Sequence, residues 1–170
     1  MDLSNREFWA LVHGLFLGGA FLLAFTGGLA GFFSLRPELL TPEGVRERVR
    51  RLELGTIVMA VLTWLTVIIG TWVVYPWYRE DTPDSPRTLL LDNPDTADWH
   101  EFAMEWKEHI AWISPLLATA AAFIVVYYRD DLIRNTLARR IALGLFIGAF
   151  ACAAVAGILG ALITKKAPVT

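Results

Sequence analysis

One cysteine, Cys152, stands in the 170 residues, so no disulfide, no C-x-x-C-H attachment for covalent haem and no cysteine-based zinc site can form within one chain. Also missing are a Ser/His/Asp set, a phosphate-binding glycine loop, a zincin motif and a basic stripe. Hydrolase, kinase and nucleic-acid-binding chemistry therefore have no foothold. The opening MDLSNREF lacks a positive n-region, since Asp2 and Glu7 flank its one arginine, and the apolar block that follows reads as a retained span rather than a cleaved signal. Ser4 and Glu7 form the S-x-x-E pattern of a capping box, which predicts a helix start.

Charge is absent from long stretches. The 55% of apolar residues fall into four blocks, Phe8 to Phe33, Leu52 to Tyr75, Ile110 to Tyr128 and Ile141 to Thr164, interrupted only by Glu53 at an edge. A helix needs about 20 residues to cross a hydrocarbon core, and each block is long enough. The fold predicted is an all-α membrane protein: a single four-helix transmembrane domain over 1–170, with spans over about 8–33, 52–75, 108–128 and 138–164 and a long acidic loop over 76–107.

Orientation follows from the cations. Arg36, Arg46, Arg48, Arg50, Arg51, Arg129, Arg134, Arg139 and Arg140 lie in two of the connections. The other side has Arg6, Arg79, Arg87, Lys107, Lys165 and Lys166. The positive-inside rule puts the arginine-rich loops in the cytoplasm and both termini outside, in a bacterial or archaeal cytoplasmic membrane. Between 76 and 108, nine carboxylates face three cations, a net charge of minus six that suits docking of a basic soluble electron carrier at the outer face.

Along the chain, Gly14 and Gly18, and Gly27 and Gly31, have the G-x-x-x-G spacing of close helix packing. Pro37, Pro42 and Gly44 predict a turn, followed by an interfacial helix that merges into span two. Trp72, Tyr75, Trp77 and Tyr78 predict an aromatic belt, with Pro76 stopping or bending the helix. Leu89 to Leu91 reads as an apolar knot on the membrane surface. Asp95 or Thr96 is a plausible cap for the helix into span three, and Pro115 kinks that span.

The candidate site rests on histidines. His13 is four residues inward of Trp9, and His109 three inward of Trp106. At about 1.5 Å per residue, both imidazoles sit roughly 5 to 6 Å below the outer belt, on parallel spans. One reading makes His13 and His109 axial ligands of a b-type haem, with Gly14 and Gly18 giving the macrocycle room. The layout then resembles the four-helix membrane b-type cytochromes in topology. That resemblance implies an electron-transfer subunit of a respiratory or quinone-linked complex, beside other membrane subunits and a quinone, and not an enzyme on its own. A second reading places a metal ion on His13, Glu105 and His109, because carboxylate and imidazole at i and i+4 can point at one ion. A third is a cofactor-free structural subunit. A small transporter or assembly factor is a further class, opposed by charge-free interiors in spans two and four. His100 is expected to be the most exposed of the three histidines, among carboxylates placed to accept protons from a quinol.

Overall fold

The computed structural model describes residues 3–35 and 41–167. The readings that rest on Asp2, Arg36 and Pro37 lie outside the described residues. The described chain is helical and contains no strand. Four helices are long and apolar enough to cross a membrane: α1, Asn5–Ser34; α2, Pro42–Tyr78; α4, Trp99–Ile133; and α5, Thr136–Lys166. A short helix, α3, spans Pro86–Leu91.

The expected start of α1 is present: the Ser4 hydroxyl accepts from the Glu7 amide at 3.2 Å, and the Glu7 carboxylate accepts from the Ser4 amide at 2.8 Å. The interfacial segment runs straight into the second span, making α2 a helix of 37 residues. The 76–107 connection is more ordered than a loop. Ser85 caps α3 with Pro86 at its first position, and α4 starts at Trp99. Thr96 does not cap α4; its hydroxyl donates to the Leu90 carbonyl at 2.9 Å.

Packing divides the chain into two compact units, each drawing on all four long helices. Unit 1 comprises 1–19, 65–112 and 152–170, and unit 2 comprises 20–64 and 113–151.

Unit 2 is held by ring stacking and close backbone approach. Phe150 stacks on Phe25 at 3.8 Å and on Phe21 at 5.8 Å, and Phe146 meets Phe25 at 5.4 Å and Phe32 at 5.5 Å. Phe146 is fully buried and its ring lies against Gly28, where any Cβ would collide with it. Gly31 lets Leu52 approach, and Gly55 meets the Gly28 backbone. The packing glycines of α1 are thus Gly28 and Gly31, whereas a Cβ added at Gly14, Gly18 or Gly27 would have nothing within 4 Å of it. The buried polar side chains described in unit 2 are hydroxyls with partners: Thr56 donates to the Leu52 carbonyl at 2.9 Å and Thr63 to the Ala60 carbonyl at 2.8 Å, one turn back, and Ser114 donates across to the Ala149 carbonyl at 2.7 Å. Pro115 is buried in a helix that continues through it, and its carbonyl accepts from Thr119 at 2.7 Å.

In unit 1 the core is Tyr78, Leu90, Ala103, Met104, Ile163 and Ala167. The leucine knot is therefore not a surface feature, because Leu90 is 1% exposed among these residues while Leu89 remains outside. Tyr78 likewise leaves the expected belt for the core, and Trp72 stays exposed. Arg6 grips the Glu80 carboxylate through both oxygens, at 2.8 and 2.9 Å, tying the start of α1 to the end of α2. Three π-helical turns occur among the described residues, Val12–Phe16, Gly70–Val74 and Trp99–Met104, and all lie in unit 1. The second precedes Pro76, whose nitrogen cannot donate to the carbonyl four residues back, so the helix shifts its register there and continues to Tyr78.

Candidate functional site

Unit 1 holds a group of ionisable side chains set into its helix packing. His13 stands in the π turn of α1, half-buried, with its ring against Gly70 of α2. A Cβ at Gly70 would come within 2.8 Å of the His13 Cε1, so glycine is what admits the ring. The imidazole hydrogen bonds to the backbone of Thr66, and its Nδ1 is buried with no partner among the described residues. Lys107 of α4 acts electrostatically on His13 and lies across Gly160 of α5, where a Cβ would meet its Cε at 2.9 Å. Next to it, Glu108 hydrogen bonds with Tyr75, while its Oε1 is buried and unpartnered among the described residues. Buried polar atoms normally find a partner, and groups left without one call for an explanation such as a water, an ion or a ligand.

His100 reverses the expectation for it. It is 6% exposed, the most buried of the histidines, because the π turn at Trp99–Met104 carries it against Tyr78. Arg87 Nε donates to His100 Nε2 at 3.4 Å, which leaves the ring proton on Nδ1, donated to the Tyr78 hydroxyl oxygen at 2.8 Å. Periodicity cannot reveal this, since one π turn rotates every residue ahead of it relative to a regular helix.

His109 is exposed on α4. Its Nδ1 donates to the Glu105 carbonyl at 2.7 Å, one turn back, which fixes the tautomer and leaves the Nε2 lone pair unused. Of the sequence-derived site residues, His13 thus faces into unit 1 and His109 outward. Gly14 and Gly18 border open space, and Glu105 contributes its backbone carbonyl rather than its carboxylate to His109. Among the described residues, no group of three or more His, Cys, Asp or Glu side chains could hold a metal ion.

Lys107, Tyr75 and Tyr78 were not placed in the site from the sequence, where the tyrosines read as an interfacial belt and the lysine as one of the outer cations. The signal for Lys107 was available: a cation between two carboxylates at a helix entry, three residues before an uninterrupted apolar run. No family model, curated protein or solved structure matches the chain.

Proposed function

We propose that the chain is a membrane-embedded subunit of a respiratory or quinone-linked redox complex, with unit 1 as its working part. The observation that carries this reading is the set His13, Lys107 and Glu108, drawn from two long helices into packed surroundings, with two buried polar atoms left unpartnered among the described residues. Ionisable groups inside membrane helices are costly, and where they occur they mark ligand, ion or proton sites. No Asp, Glu, Lys, Arg or His occurs in 54–64, 113–128 or 141–151, so the ionisable groups stop short of a route across unit 2. Such an arrangement suits exchange with a reactant held in unit 1 more than transport through the chain.

Haem b is the cofactor form of this proposal, with His13 and His109 as ligands. It is supported by the nitrogen each imidazole keeps unused, Nδ1 of His13 and Nε2 of His109, and by the backbone tie of His109, an arrangement common for metal-bound imidazole. The cofactor-free form is favoured by a different observation: the His13 ring already occupies the space over Gly70, and His109 faces the other way. The spectrum of the dithionite-reduced protein, purified in its native assembly, separates the two. The haem form gives sharp low-spin bands that His13→Ala and His109→Ala each abolish and His100→Ala leaves in place. A colourless, iron-free assembly rejects it. The redox role is tested apart from haem by quinol-dependent electron transfer in native membranes, which His13→Ala lowers while the assembly stays intact. The exposed carboxylates Asp81, Asp84, Asp92, Asp95 and Asp98 suit a basic soluble partner, whose association then weakens as salt rises.

A further inference from the structure

Unit 2 has a groove of about 230 Å³ lined by Phe32, Phe33, Leu35, Arg139, Arg140 and Leu143. Phe32 and Leu35 form its buried apolar part, at 4% and 2% exposed, and Phe33 is 57% exposed. The only charges among the lining residues are the two guanidinium groups. Arg139 is fixed in place: its Nη1 donates to the carbonyls of Leu35 at 3.1 Å and Ile133 at 3.3 Å. That leaves its Nε and Nη2 without a partner among the described residues, and Arg140, which is exposed, has none there either.

An apolar groove edged by two guanidinium groups and no carboxylate matches an anion that carries hydrocarbon. The guanidinium fork binds phosphate oxygens in pairs, and the length of α1 and α5 brings their apolar flanks to lipid. We propose that this groove is a binding site for an anionic phospholipid, the phosphate on Arg139 and Arg140 and the upper acyl chain along Phe32, Phe33 and Leu143. The site is independent of the redox reading and lies in the unit that has no buried ionisable cluster among its described residues. It gives the arginine-rich end of the chain a lipid-specific contact in place of a diffuse attraction.

The test is native mass spectrometry of the delipidated full chain in detergent, with phosphatidylglycerol and phosphatidylcholine of the same acyl composition. The wild type retains phosphatidylglycerol over phosphatidylcholine by roughly fivefold for each arginine engaged. Because Arg139 also ties Leu35 and Ile133, the deciding variants avoid it. Arg140→Gln removes one charge and lowers the preference. Leu143→Trp fills the groove with both charges kept and lowers retention. Arg50→Gln, at an exposed arginine that does not line the groove, changes neither. Equal retention of the two lipids, or a preference unchanged in both Arg140→Gln and Leu143→Trp, overturns the proposal. So does an equal loss in Arg50→Gln, which is the signature of general charge attraction. Displacement of phosphatidylglycerol by millimolar inorganic phosphate would assign the site to free phosphate instead, and also overturns it.

Discussion

Unit 1 and unit 2 take segments of the same four long helices, yet the first is interrupted by three π turns and holds His13, His100, Lys107 and Glu108 in its packing, while the second stacks phenylalanines around Phe146. Glycine serves opposite ends in the two. In unit 2, Gly28 and Gly31 bring apolar side chains into contact, and in unit 1, Gly70 and Gly160 make room for an imidazole and an ammonium group. The first use stabilises the helix packing through dispersion contacts. The second admits groups whose burial opposes folding, which is the pattern of a site retained for what it does. Substitutions should therefore separate the units, costing stability in one and function in the other.

The largest stability loss is expected for Phe146→Ala, which empties the centre of the aromatic stack and costs about 3 kcal/mol by the large-to-small rule. Thermal unfolding in detergent measures it, and a loss under about 1 kcal/mol would mean that the stack is not the centre of unit 2. Lys107→Met should move the other way. Removing a half-buried ammonium group that has no ion pair among the described residues leaves stability unchanged or raises it by about 1 kcal/mol. A loss as large as that of Phe146→Ala would make Lys107 a structural residue and erase the contrast. The smallest effect belongs to Gly160→Ala. It displaces only the flexible end of Lys107 and shifts stability within about 0.5 kcal/mol, yet it moves the ammonium group that acts electrostatically on His13, and under the proposed redox role it lowers quinol-dependent electron transfer. Gly27→Ala, with nothing near its added methyl, is the matched control in unit 2 and changes neither.

The number of long helices, the capping box at Ser4 and Glu7 and the merging of the arginine-rich segment into α2 were legible because each depends on composition or local chemistry. The connection between α2 and α4 was not. Its prolines and carboxylates read as a loop, but Leu90 is drawn into a core made by Tyr78, Met104 and Ile163, contacts that only tertiary packing supplies. Glycine spacing located α1 as a packing helix, but of its two G-x-x-x-G pairs, Gly14 with Gly18 and Gly27 with Gly31, only Gly31 meets a neighbouring side chain, since the pattern does not say which face is packed. The histidines stood out by residue type, but their facing did not follow from the sequence. His100 became the buried one through a π turn, which a regular 3.6-residue period cannot express, and His109 shares an exposed face with Trp112 and Leu116, which that period groups without saying which way they face.

The central claim, that unit 1 works while unit 2 supports it, is tested most directly by the rate of quinol-dependent electron transfer per folded chain in native membranes carrying Glu108→Gln. The substitution keeps the size of the side chain beside Tyr75 and removes its charge. The expected result is a rate lowered by about a hundredfold or more, the lower range for loss of a positioned acid or base, with assembly and unfolding temperature unchanged. An unaltered rate at full assembly would contradict the claim and leave the chain a structural subunit.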